Sequence, residues 1–304
     1  MTVKTIPLVV ISPVRNEARL ISRTLDSMLA QSWRPAEWIL VDDGSTDDTT
    51  AVIARYAEAH SWIRCVPRQD RGFRQLGAGV IAAFDEGRSR ITTDGWQFIA
   101  KLDGDMSFGP RYLEIMVGTL LAEPRLACVS GKVFRPDPGG EVEEFIIDEA
   151  TAGQFKLYRR EAFEAIGGIT QTILWDGIDF HRCRMMGWDT RSFFHHDAKL
   201  IHHRQMGSSD KNIYRGRMRL GKGIWFMGYH PLYATASGLF RMHERPYVIG
   251  GLIIIGSFFA AALRREPRFD DQAFRQYLQR WQLARLRALP GRAGRRLLRR
   301  VGRK

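Results

Sequence analysis

Four short stretches, far apart in the chain, gather side chains suited to a charged, oxygen-rich ligand. They are "SPVRNE" (12–17), "DDGS" (42–45), "DGD" (103–105) and "WDGID" (175–179). Two carboxylates separated by one glycine repel each other unless a cation lies nearby. A hard divalent ion such as Mg2+ or Mn2+ prefers oxygen ligands and often keeps contacts to substrate phosphates. Asp103 and Asp105 therefore form a candidate metal–diphosphate site, the plain alternative being a turn, where Asp-Gly is common. Helix capping accounts for some of Ser45, Thr46 and Asp47, which leaves Asp43 free to accept hydrogen bonds from a base or ribose. Asn16 and Glu17 offer polar atoms to the same ligand. Asp176 precedes a helical stretch, so it is either an N-cap or a carboxylate able to take a proton from a bound hydroxyl. Asp179 is the other acid there, with a helix surface as its simpler role.

These stretches need elements to bring them together. Apolar runs at 6–12, 37–41, 63–66, 96–102 and 126–134 predict strands. Apolar residues at helical spacing predict helices over 19–31, 47–58, 75–87 and 110–122, the last with Pro110 at its entrance. Strand–helix alternation with short links predicts a mainly parallel sheet covered by helices. Ligands of such sheets bind at the carboxyl ends of the strands, which puts the first three acidic stretches on one edge. The glycines follow neither GxGxxG nor Walker A spacing. Helices are expected at 159–168 and 178–187, a strand with histidines within 191–204, and loops at 131–140 and 153–160. Gly216, Gly221, Gly223 and Gly228 punctuate a further helical stretch, in which Trp225, Phe226 and Tyr229 either pack or form an interfacial belt.

The 304 residues carry a net charge of +13 and 44% hydrophobic residues, enough for a sizeable core. No acid follows Asp271, and eleven of the net positive charges lie from Arg275 to Lys304. Such a run attracts nucleic acid or an anionic membrane, but no aromatic–basic alternation marks a base-reading surface. The three cysteines, Cys65, Cys128 and Cys183, form no disulfide framework, and the first twenty residues have no apolar signal core. A reducing compartment is expected. Tyr247–Leu263 is uncharged, with arginines on both sides. Seventeen helical residues cover about 25 Å, short of the ~30 Å hydrocarbon layer. An interfacial or re-entrant segment is expected, at the cytoplasmic face of the membrane.

The series "ISPVRNE", "ILVDDGSTDDT", "KLDGD" and "WDGIDFHRCRMMGW" resembles the family 2 glycosyltransferases of the GT-A fold, over residues 6 to 204. The stretch "IHHRQMGSS…WFMGYHPLY" resembles a membrane-associated branch. The resemblance implies a GT-A type α/β fold, a Rossmann-like, mainly parallel sheet flanked by helices. A catalytic domain at 1–210 and a helical, membrane-associating extension at 211–304 follow. It places Pro13, Asn16 and Glu17 at the nucleotide-binding first loop, Asp43 at the base, and Arg71 near uracil or phosphate. Asp103 falls near ribose and metal, Asp105 on the metal, and Asp176 at the catalytic base. Trp175 stands where the family has a Glu. One of His202 and His203 is the implied further metal ligand; adjacent strand residues face opposite ways, and His203 is the expected one. The implied activity is inverting, Mg2+- or Mn2+-dependent transfer of a sugar from a UDP- or GDP-linked donor to a lipid-linked or polysaccharide acceptor. A nucleotidyltransferase would also use paired carboxylates, and a nucleic-acid-binding protein would use the basic run.

Overall fold

The computed structural model describes residues 4–204 apart from 74 and 76, and residues 212–288. The end of the basic run, from Arg292 to Lys304, and part of the "IHHRQMGSS" stretch lie outside the described residues. The chain divides into two compact units, Met1–Gln205 and Met206–Lys304.

The first unit opens with β1 (Lys4–Val14), α1 (Ile21–Leu29), β2 (Trp33–Asp42), α2 (Thr49–Ala59), β3 (Ile63–Pro67) and α3 (Ala78–Ser89). β4 (Phe98–Leu102), β5 (Met106–Phe108), α4 (Tyr112–Ala122), β6 (Leu126–Gly131), β7 (Val133–Asp137) and β8 (Gly140–Glu143) follow. β9 (Phe155–Arg159), α5 (Arg160–Ala165), α6 (Trp175–Met185), β10 (Asp189–Phe193) and β11 (Leu200–His202) complete it. The large sheet runs β10-β6-β9-β4-β1-β2-β3, and a smaller one runs β5-β11-β7-β8. β1 pairs in parallel with β2 and β4, β2 with β3, and β6 with β10; β9 runs antiparallel between β4 and β6. The sheet is therefore mixed, with a parallel majority.

Both faces of the large sheet are covered, which is why its central strands are continuous apolar runs. Leu8 and Val10 pack with Ile21, Leu25, Ile53 and Met116 of α1, α2 and α4. Val9 and Ile11 pack on the other face with Ile81, Phe84, Phe163 and Cys183 of α3, α5 and α6.

Three local expectations change. The run 126–134 is not one strand: it breaks at Lys132, leaving β6 in the large sheet and β7 in the small one. Residues 153–160 are not a loop but contain β9, whose Phe155, Lys156, Leu157 and Tyr158 are all buried. α6 starts at Trp175, so Asp176 lies in its first turn rather than at a cap.

The second unit contains α7 (Ile213–Met227), α8 (Pro231–Phe240), α9 (Ile249–Leu263) and α10 (Gln272–Arg287). α7 continues through Gly216, Gly221 and Gly223 and ends at Gly228, in left-handed conformation with φ +86°. A Cβ on Gly221 would lie 2.4 Å from the carbonyl oxygen of Ile254, so that glycine lets α7 and α9 touch backbone to side. Trp225 packs on Phe258 and Phe226 on Phe269. Among the described residues no helix is long and apolar enough to cross a membrane.

Candidate active site

The site forms where β1, β2 and β4 end. Pro13 lies opposite Val41 near the end of β1, and the chain then turns through Asn16, which has φ +55°. The Asn16 backbone N–H donates to Ser45 Oγ at 2.9 Å, and its Oδ1 accepts from the Thr46 N–H at 2.8 Å. These bonds tie the first loop to the turn after β2. Gly44 makes that turn at φ +76°, and a Cβ there would come within 2.5 Å of Asp70 Cα. A glycine is thus needed for the loop carrying Asp70 to close over β2.

Asp43 is buried behind that loop. Its carboxylate accepts from Arg68 at 2.6 Å and from Arg71 Nη1 at 2.8 Å, with Arg71 Nη2 on the second oxygen. Arg15 donates to the Asp43 carbonyl and to Asp70 at 2.7 Å. Arg71 and Asp43, taken separately from the sequence, form one ion pair. Arg15 and Arg68 were missed, although Arg15 lies inside a stretch singled out from the sequence and each arginine directly follows a strand, β1 and β3.

The Asp103–Asp105 turn follows β4. A Cβ on Gly104 would meet Val14 at 2.9 Å and Glu17 at 3.5 Å, so this turn rests against the first loop. Glu17 is buried and paired with Arg204, whose Nε lies 3.6 Å from Asp105. A cavity of about 280 Å³ opens beside Asn16, Glu17, Asp47 and Arg204.

His202, not His203, faces Asp105. β11 pairs antiparallel with β5, setting His202 opposite Met106. Leu200 and His202 share the inward face and are both buried. His202 Nε2 lies 3.5 Å from Asp105 Oδ2, and its Nδ1 lies 3.2 Å from Glu144. The His203 ring turns the other way, with Nδ1 accepting from Arg23 at 2.9 Å and Nε2 beside Ser107 Oγ at 2.8 Å. Both nitrogens of His203 are engaged, so the expectation for that residue is corrected to its neighbour. Glu144 had no sequence signal; it arrives from an irregular stretch after β8.

Burial alone would lower the His202 pKa, but the Asp105 and Glu144 carboxylates push it up to about 10. Burial raises a carboxyl pKa, yet His202 and Arg204 hold Asp105 below the usual range. Asp103 shifts upward: burial and the nearby Asp105 outweigh the ammonium of Lys101. A pair of carboxyls pushed apart in this way is a feature of functional sites.

Asp103 and Asp176 flank one glycine. Lys101, buried, pairs with the Asp103 carboxylate and donates to the Gly153 carbonyl at 2.9 Å. A Cβ on Gly153 would sit 3.3 Å from both Asp176 Cβ and the Trp175 ring. The Lys101 ammonium stands 5.0 Å from the centre of that ring, and Lys156 stands 5.8 Å away. Trp175 thus sets an aromatic face against two cations. Asp179, the other acid on α6, is fully buried, with Lys156 Nζ at 2.6 Å and Tyr158 bonded to it. Its carboxylate neutralises an internal lysine and is closed to an acceptor hydroxyl. Asp176 is partly exposed.

The donor set suits a divalent ion that takes the place of the proton on His202 Nε2. Glu144 fixes His202 through Nδ1 and aims Nε2 at Asp105, the arrangement by which a second carboxylate orients a metal-binding histidine. Among the described residues no group of three His, Cys, Asp or Glu could hold a metal unaided. An ion here would need oxygens from a bound diphosphate as well, which is how Mg2+ is usually held.

Charged side chains converging at the carboxyl ends of parallel strands mark an α/β protein with a ligand site at that edge. Residues 9–168 match the family model described as "Glycosyl transferase family 2", and the chain belongs to that family. It is 32% identical over 150 residues to validoxylamine A glucosyltransferase of Streptomyces hygroscopicus subsp. limoneus, covering 46% of this chain and 31% of that one. It is 30% identical over 129 residues to chondroitin synthase of Escherichia coli, covering 42% and 17%. The chain thus spans under a third of the length of these relatives. The fold is similar to that of mannosyltransferase PcManGT from Pyrobaculum calidifontis, a complex with GDP-Man and Mn2+. The TM-score is 0.52, at 17% identity, over 93% of this chain and 86% of that one. The α/β architecture is that of the GT-A glycosyltransferases.

Proposed function

We propose that this protein is an inverting, metal-dependent glycosyltransferase. It moves a sugar from a nucleoside-diphosphate donor, UDP- or GDP-linked, to a hydroxyl of a lipid-linked or polysaccharide acceptor. The observation that carries this reading is that Lys101 and Gly153 bring Asp103 and Asp176 to one place, with Asp105 across the DGD turn facing His202 and Arg204. Family membership supports sugar transfer, and the Mn2+ and GDP-Man bound by PcManGT support the cofactor and donor class.

Asn16 and Asp43 bind the base and ribose end of the donor, with Pro13 shaping the loop. Glu17 holds Arg204 at the rim. Arg68 and Arg71 cover Asp43 here, so base binding requires at least one of them to turn outward, where it can meet phosphate. Asp105 and His202 would hold Mg2+ or Mn2+, with Asp103 beside them, and the ion would offset charge on the departing diphosphate. Asp176 accepts the proton of the attacking hydroxyl. With one base and no enzyme nucleophile, displacement is single and the anomeric centre inverts. The basic run and the apolar Tyr247–Leu263 segment support a place at the cytoplasmic face of the membrane, peripheral or monotopic.

A panel of nucleotide sugars, each with Mn2+, Mg2+ or chelator, tests the reading. Release of nucleoside diphosphate from a UDP- or GDP-sugar, stopped by chelator, is expected. Pyrophosphate release from nucleoside triphosphates would instead identify a nucleotidyltransferase.

A further inference from the structure

We infer that the outward face of α9 is a lipid-contacting surface that lies in the plane of an anionic membrane leaflet. The inference rests on the membrane location proposed above and is independent of the sugar chemistry. Gly250, Gly251, Ile254, Phe258 and Ala261 turn inward and are buried. Ile249, Leu252, Gly256, Phe259 and Leu263 recur three and four residues apart and are exposed, Leu263 at 86%. A surface helix of a globular protein normally presents polar residues outward. Here the outward stripe has none, and Tyr247 and Val248 just before the helix are exposed too. α8 packs on α9 through Gly238 and Gly251 and exposes Leu232, Leu239 and Phe240. An exposed stripe of apolar side chains along a helix marks a protein or membrane contact.

Charge decides the occupant. Arg245 precedes the stripe, and Arg264, Arg265 and Arg268 follow it, all exposed. The nearest acids are engaged elsewhere: Glu244 with Arg217 at 2.7 Å and Glu266 with Lys222 at 3.0 Å. Cations thus stand at both ends of an uncharged stripe. A second copy laid on it, parallel or antiparallel, would set arginines against arginines. Lipid phosphates would neutralise them, with the apolar side chains below the headgroups. The fifteen residues of α9 extend about 22 Å, less than the ~30 Å hydrocarbon thickness, which favours lying in the leaflet over crossing it.

Gly256 provides the test. It lies mid-stripe, and a Cβ there meets nothing within 4 Å, so larger side chains fit without disturbing the unit. The full-length protein and its Gly256→Glu and Gly256→Leu variants are sedimented with phosphatidylcholine vesicles, with and without phosphatidylglycerol. Thermal melting checks that each variant folds. Wild type should partition to the phosphatidylglycerol vesicles. Gly256→Glu should weaken partitioning at least tenfold, and Gly256→Leu should strengthen it at least threefold. Equal partitioning of all three would assign any binding to the basic run and overturn the inference. So would absence of vesicle binding, or a concentration-dependent dimer abolished by Gly256→Glu without vesicle binding. Nucleoside diphosphate release from a soluble donor by Gly256→Glu, measured in parallel, reports on the sugar reading separately.

Discussion

His202 Nε2 points at Asp105 while Nδ1 is taken by the buried Glu144; His203, one residue on, is held by Arg23 and Ser107. His202→Gln should therefore weaken Mn2+ binding in the presence of nucleoside diphosphate, by about 10–100-fold, as should Glu144→Gln by loss of the orienting contact. His203→Gln should change it less than threefold by the same titration calorimetry, on the order of the noise expected for a residue outside the coordination shell. The pH dependence follows with a definite sign. The folded pKa of His202 is raised from 6.5 to about 10, so its ion pairs stabilise the metal-free protein fully below 6.5. That stability is lost as pH rises through about 10. Melting temperature without metal should fall across this window, and His202→Gln should flatten the fall. The resemblance implied that one of the two histidines faces the cleft, and the expected one, His203, faces away: Leu200 and Ile201 are both apolar, so alternation alone has no sign. The pairing of a three-residue strand with β5 supplies it.

At the scale of elements, legibility followed burial. β1, β2 and β4 were visible because both their faces are covered, and Asp43, Asp103 and Asp105 were visible at their ends. β9 was not, because a lysine interrupts its apolar run and its counter-ion, Asp179, lies on α6. Lys156 is wholly buried, donating to both Asp179 oxygens and, at 3.3 Å, to the Asp176 carbonyl. It thus pins the first turn of the helix that carries the candidate base. Removing either partner strands a buried charge. Lys156→Ala and Asp179→Ala should each lower stability by about 3–5 kcal/mol. The double variant should cost well under the sum of the two, by chemical denaturation. Additive losses would mean that the pair is not an interaction at all.

For the molecule as a whole, the first three acidic stretches stand at the one sheet edge expected for them, Asp176 comes in on α6, and the apolar stretch belongs to a second unit. The relation of Asp176 to Asp103 was legible only through the family resemblance, since it depends on Gly153, which lies in no motif, and on the contact that Lys101 of "KLDGD" makes with it. The most direct test of the account is the Asp176→Asn variant, compared with wild type for donor binding by calorimetry and for sugar transfer by nucleoside diphosphate release. A general base contributes roughly 10²–10⁴-fold. Asp176→Asn should keep its donor affinity while transfer slows by about that range. Transfer by Asp176→Asn at the wild-type rate would contradict the account.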